Sequence, residues 1–330
     1  MSQIKIGLLS KTRGNYALQA KFAGEEQVVD TTADEVEHHR QSLIDAGYEV
    51  HVIPWQPDLL NILPSLGLDL VFNVSSLVEA AIIEEAEIPY VGSDVFAIAV
   101  ATDKSLAKRL WMQAGLPTSP FVVAHQVSDC EVFRSEPPFP YPLFIKPVAG
   151  RGSSGIDEHS VVNSYDQLEE GVSVRLELIG QPVLIERYLR GREITLGLVG
   201  NGENTRVLPP LEIRYKAGSQ ALTFEKKERD DDTFICPADL TLDEIEQMQS
   251  LARRAYQCFG FRDYGRIDTI LTNDGPFLLE GNTFAGLTCT PPEKPHSYIG
   301  FMARAEGNGG RELLDEIVRA ALARLGIKAG

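Results

Sequence analysis

What most restricts the fold of this chain is a rhythm in its first third. Short apolar runs at residues 4–9, 48–53 and 69–73 alternate with longer stretches, of which 78–86 reads as a helix, and a last short run falls at Tyr90–Val91. A β-α-β rhythm of this kind predicts a small parallel sheet with helices on its faces. Thr32-Ala-Asp-Glu35 offers a capping box for a helix that Gly47 would end. Residues 11–30 fit neither period. They read as a long excursion from the carboxyl end of the first strand, where binding residues often lie, or equally as a surface loop.

Beyond residue 94 the pattern changes. A helix over 103–113 should stop at Gly115-Leu-Pro117, because glycine ends it and proline prevents its return. Strands are expected at 121–124, 143–146 and 183–186, with a glycine-rich loop after 146 and a helix over 165–178. Further on come strands at 193–199 and 206–213, a charged segment at 224–233 and a helix at 242–259. A hairpin (264–271 with 276–282) and a last helix at 312–325 complete the chain. At 330 residues the chain is longer than one core usually holds. An α/β protein with α+β lobes over 1–93, 94–189 and 190–330 is the expectation.

The net charge of −16 disfavours nucleic acid and anionic membranes as partners, yet leaves room for a few cations converging on a small anion. Cys130, Cys236, Cys258 and Cys289 show no metal spacing and read as reduced thiols. No apolar run approaches the roughly 20 residues of a membrane span. The first residues lack the basic region and cleavage site of a leader, so a cytoplasmic enzyme is expected.

Two motifs carry chemistry. Gly150-Arg-Gly152-Ser-Ser-Gly155 satisfies the dinucleotide fingerprint G-x-G-x-x-G, but that fingerprint needs a helix directly behind it, and Ile156 onward reads as a strand. The loop therefore reads as a flap whose N–H groups can close over phosphates, with Lys146 beside it, or as a plain turn. The second motif is Gly265-Arg266-Ile-Asp268 with Leu278-Leu-Glu280-Gly-Asn282, separated by Asn273-Asp-Gly275. A three-residue loop centred on Asp274 would set Asp268 opposite Glu280 and Arg266 opposite Asn282, all on one face. Opposed carboxylates repel unless a cation lies between them, and two carboxylates with an amide oxygen suit magnesium. A two-residue turn would instead put Asp268 and Glu280 on opposite faces.

Taken together and in order, IKP–GRGSSG, IERYLRGREIT, FICPA, YGRIDTIL–LLEGNT–GLT and HSYIGFMARAEG resemble the D-alanine–D-alanine ligase family of ATP-grasp enzymes over roughly residues 90 to 325. The resemblance implies three lobes with ATP between the central and C-terminal ones, and magnesium (or manganese) as the metal. It implies that Lys104 and Lys146 hold phosphates and that Ser153 or Ser154 is the flap serine. Glu186 and the backbone of Arg187 to Leu189 would hold the adenine, and Glu193 the ribose. Lys226 would reach the terminal phosphate, Asp268, Glu280 and Asn282 would bind the metal, and Arg266 would stabilise the transition state. Gly286, Ser297 and Tyr298 would receive the carboxylate of a second amino acid.

The implied reaction makes an acyl phosphate from one amino-acid-type substrate, which the amine of another then attacks. A homodimer is compatible with the resemblance. A nicotinamide oxidoreductase and a non-catalytic nucleotide binder are the competing classes. The chain also departs from the family. The glutamate that should hold the first ammonium has no counterpart after Leu9, Lys227 replaces a tyrosine, residues 290–295 look inserted, and the hairpin is slightly short. These departures predict that D-alanine is not the best acyl donor, with Glu25 and Glu26 as substitute acids or Arg13 receiving an anionic donor.

Overall fold

A computed structural model describes residues 3–10, 32–150, 155–215, 233–289 and 297–328. The first strands are β1 (Lys5–Ser10), β2 (Glu49–Pro54), β3 (Leu70–Asn73) and β4 (Tyr90–Val91). They form a wholly parallel sheet in the order β2-β1-β3-β4. The connections are helices α1 (Ala33–Asp45), α2 (Leu59–Ile62) and α3 (Leu77–Glu85). Thr32 and Glu35 close the anticipated capping box on α1.

Helices α4 (Val95–Thr102) and α5 (Lys104–Gln113) lead to the second sheet. Asp103 caps α5 by accepting from the N–H groups of Ser105 and Leu106, so the helix starts one residue later than its sequence signal. Apart from Thr102, α4 is apolar and has no amphipathic face, and sequence reading did not find it. The second sheet is antiparallel, in the order β5-β8-β6-β7, from β5 (Phe121–Ala124), β6 (Leu143–Pro147), β7 (Val161–Val162) and β8 (Val183–Arg187). Helix α6 (Tyr165–Ile179) packs on it.

The third sheet runs β12-β11-β9-β13-β14, with β10 also on β9. Its strands are β9 (Arg192–Val199), β10 (Arg206–Val207), β11 (Leu211–Arg214), β12 (Thr233–Ile235), β13 (Tyr264–Thr272) and β14 (Gly275–Asn282). The single strand expected over 206–213 is thus two, because Pro209 and Pro210 have no N–H to give a ladder. Helices α7 (Leu242–Cys258), α8 (Tyr298–Ala305) and α9 (Gly310–Leu325) follow.

Hydrophobic burial does not follow chain order. Leu313, Leu314, Ile317, Val318 and Leu322 of α9 share one core with Ile6, Leu8 and Phe72 of the first sheet. Ala107 and Trp111 of α5 share another with Met248, Ala252 and Ile267 of the third-sheet region, where Trp111 stacks on Phe259 at 4.7 Å. Helix α5 is thereby fixed against the third-sheet core while its first turn meets the end of β6.

Candidate active site

The hairpin of β13 and β14 is the base of the site. Its turn is two residues long, since Thr272 pairs with Gly275. Thr272 Oγ1 accepts from Asp274 N and donates to Gly275 O, and Gly275 takes a φ of 106° that favours glycine. From there Leu271 pairs with Pro276, Ile270 with Phe277 and Thr269 with Leu278, but Asp268 pairs with Glu280. Leu279 is the extra residue of a β-bulge. The expected three-residue loop is therefore wrong, whereas the expected opposition of Asp268 to Glu280 and of Arg266 to Asn282 is present. The bulge supplies the residue that the short turn withholds.

Asp268 is buried and crowded with donors. Arg266 meets it with a two-pronged contact, Nε to Oδ1 and Nη2 to Oδ2, each 2.8 Å. Thr195 Oγ1 donates to Oδ1, and Asn282 Nδ2 donates to Oδ2 at 3.0 Å. Asn282 also lies 3.4 Å from Glu280 Oε1, so the four side chains form one cluster. Burial works against the Arg266 charge, but Asp268, Tyr298 and Glu280 outweigh it and hold the guanidinium pKa above its ordinary value. The Arg266 guanidinium carbon lies 4.9 Å from the centre of the Tyr298 ring.

Lysines face this cluster. Lys104, on the first turn of α5, lies 3.9 Å from Glu280 Oε2 and donates to Gly150 O at 2.8 Å. Burial lowers its pKa, since Glu280 is too far to compensate fully and Lys146 opposes it. Lys146 of β6 sits 2.7 Å from Glu186 Oε1. Burial disfavours its charge too, yet Glu186, Glu280 and Glu193 together raise its pKa. Glu186 of β8 is 3% exposed. Its burial alone would raise the carboxyl pKa, but Lys108 and Lys146 bring it down to about 2.

Other predicted residues fall as follows. Arg187 is exposed at the end of β8, its N–H given to Pro120 O, and Leu189 is buried just beyond. Glu193 accepts from Tyr215 Oη. Gly286 backs onto Ser297, where an added Cβ would lie 2.9 Å from the Ser297 Cβ. Ser297 caps α8, accepting from Gly300 N and giving its proton to Thr288 O, both at 3.0 Å. Ser153, Ser154 and Lys226 lie outside the described residues, as do Arg13, Glu25, Glu26, Lys227 and residues 290–295. After Gly155 the expected strand-like run is mostly a turn, which Asp157 closes by accepting from His159 N. Only Val161–Val162 pairs with β6. Helix α6 begins at Tyr165, so no helix directly follows the glycine-rich loop as a dinucleotide fingerprint requires.

Sequence reading missed Lys108, Thr195 and Tyr215. Lys108 had a usable signal, because it stands four residues after Lys104 and so shares its helical face.

Relatives of known activity match most of the chain. The family model for the D-ala D-ala ligase C-terminus matches residues 110–319. The D-alanine–D-alanine ligase of Bordetella avium (strain 197N) is 34% identical over 294 residues, covering 86% of this chain and 88% of that protein. The D-alanine–D-alanine ligase of Cupriavidus taiwanensis is 34% identical over 242 residues, covering 73% of this chain and 70% of that one. Among solved structures, D-alanine–D-alanine ligase from Bacillus anthracis complexed with ATP matches with a TM-score of 0.71 at 19% identity, covering 98% of each chain. VanG D-Ala:D-Ser ligase from Enterococcus faecalis matches with a TM-score of 0.72 at 20% identity, covering 97% of this chain and 100% of that one.

The fold is that of the ATP-grasp ligases. Within them, the chain belongs to the D-alanine–D-alanine ligase family. It is accordingly an ADP-forming, ATP-dependent ligase that joins a carboxylate to an amine.

Proposed function

We propose that the chain converts the carboxylate of one amino-acid-type substrate into an acyl phosphate with ATP and magnesium, then passes the acyl group to the amine of a second, and that D-alanine is not its best acyl donor. The observation that carries the site assignment is the single face on which Asp268, Glu280, Asn282 and Arg266 stand, with Lys104 3.9 Å from Glu280. In this reading the lobes are 1–93, 94–189 and 190–330, and ATP lies between the last two. Lys104, Lys146 and Lys226 hold its phosphates, and Ser153 or Ser154 closes over them. Glu186 with the Arg187 and Leu189 backbone takes the base, and Glu193 takes the ribose.

The donor set at the hairpin suits magnesium, or manganese in its place: two carboxylates and an amide whose oxygen a half-turn presents. The metal would draw charge from the phosphates. Arg266 stabilises the anion formed as the amine attacks, and its bond to Asp268 holds the guanidinium ready. Gly286, Ser297 and Tyr298 receive the second carboxylate. A cytoplasmic location and a homodimer are compatible with this reading. Among the described residues no helix is long and apolar enough to cross a membrane.

The donor assignment rests on the sequence after Leu9, which lacks the family's glutamate, and on Lys227 in place of a tyrosine. An unpaired ammonium in a dry site would cost several kcal/mol. The second reading, D-alanine in both positions, is favoured by the Bordetella avium relative. Phosphate release measured with each amino acid singly and in pairs separates the two. A pair that turns over faster than D-alanine alone is expected, and D-alanine as the best substrate would establish the second reading. Glu280→Gln should lower turnover at least about 100-fold with the melting temperature held. Unchanged turnover would remove the metal assignment.

A further inference from the structure

The most completely enclosed cation near the site is one that the proposed reaction does not use. Lys108 is 0% exposed, and its ammonium has three protons and three acceptors: Glu186 Oε2 at 2.7 Å, Thr118 Oγ1 at 2.8 Å and Ser119 Oγ at 2.9 Å. Ser119 Oγ in turn donates to the same Glu186 oxygen at 2.7 Å. One side of the Glu186 carboxylate is thus satisfied by Lys108 and Ser119. The other oxygen, Oε1, meets Lys146 at 2.7 Å. Lys146 also feels Glu280 and Glu193, the groups across the cleft, whereas the charges that act on Lys108 are Glu186 and Lys146. Of the two lysines, only Lys146 has reason to turn toward a ligand.

A buried carboxylate stripped of its sole counter-ion would be strongly destabilised. If Lys146 were the only partner of Glu186, moving it to a phosphate would incur that cost and weaken the nucleotide. We propose that Lys108 is a positioning residue: the fixed counter-ion of Glu186, which releases Lys146 to the phosphates and frees Glu186 Oε1 for the base. This rests on the reading that Lys146 binds phosphate.

The test is the affinity for magnesium-ATP and the KM values of full-length Lys108→Met, Lys146→Ala, Glu186→Gln and the pair Lys108→Met with Glu186→Gln. Methionine keeps most of the side chain's length without its charge and leaves Glu186 with one lysine, a neutral pair. Lys108→Met should weaken ATP about 10-fold or more and leave the KM of the amino-acid substrates within about twofold. In the Glu186→Gln background, where no carboxylate needs a counter-ion, the same change should cost less than about twofold. Equal losses in both backgrounds, or ATP bound as tightly by Lys108→Met as by the unaltered protein, would overturn the proposal. If Lys146→Ala leaves ATP affinity intact, the phosphate reading fails and the role of Lys108 fails with it. If Lys146→Ala weakens ATP while Lys108→Met does not, the role of Lys108 alone is lost.

Discussion

At the scale of single residues, the site is a set of charges that burial opposes and neighbours restore. Glu186 shows the balance most clearly, because two lysines hold its carboxyl at about 2 where the ordinary value is 4.5. A depressed folded pKa means that stability is fully present above the ordinary value and is lost as pH falls from 4.5 through about 2. The unaltered protein should therefore lose melting temperature more steeply than Glu186→Gln across that window, as scanning calorimetry at stepped pH would register. Parallel curves would mean that the lysine pairs add nothing to stability. Lys108 itself was legible only as one more helix lysine. Its i,i+4 relation to Lys104 gives a shared face, but which acid that face meets depends on β8, far away in sequence.

Among the elements, the junction that matters is between the segment after α5 and the hairpin. Leu278 N donates to Pro117 O, and Thr118 Oγ1 donates to Leu278 O, both at 2.8 Å. This strap grips β14 next to the bulge at Leu279, and the same hydroxyl accepts from Lys108. Thr118→Val keeps the shape, leaves Leu278 O buried without this donor and takes one acceptor from Lys108. Urea unfolding should show a loss of about 1–3 kcal/mol. A change within a few tenths of a kcal/mol would show that water replaces the hydroxyl. The cap at Thr32 was readable because it acts within a few residues of itself, and those of Asp103 and Thr241, not read from the sequence, act over the same short range. The break at Pro209-Pro210 was equally local and could have been read from the missing N–H groups.

For the whole molecule, Asp263 does what no element does alone. It is wholly buried, in the left-handed region at a φ of 65°, and takes Gly92 N, Asn201 Nδ2 and a two-pronged contact from Arg324 of α9. Arg324 also donates to Tyr90 O, so the first sheet, the last helix and the third-sheet turn meet at one carboxylate. Asp263→Ala would take the carboxylate partner from the mostly buried Arg324 guanidinium and force alanine into a φ it resists. About 3–5 kcal/mol of unfolding free energy should be lost, read by chemical denaturation. A loss below about 1 kcal/mol would mean that the shared core of α9 and the first sheet holds these parts together unaided.

The sequence by itself determined what depends on neighbours along the chain. The β-α rhythm, the cap at Thr32 and the candidate cluster of the hairpin follow from spacing and local hydrogen bonding, while most of the other candidate site residues were named only by the family resemblance. It could not determine register, because a two-residue turn at Asn273-Asp274 would by itself have sent Asp268 and Glu280 to opposite faces. Tertiary structure reversed that through the bulge at Leu279, where β14 is held by the strap from Pro117 and Thr118, more than 150 residues earlier. It also chose the partners of Glu186, since burial makes a carboxylate take whichever cations the packed strands and helices bring within reach.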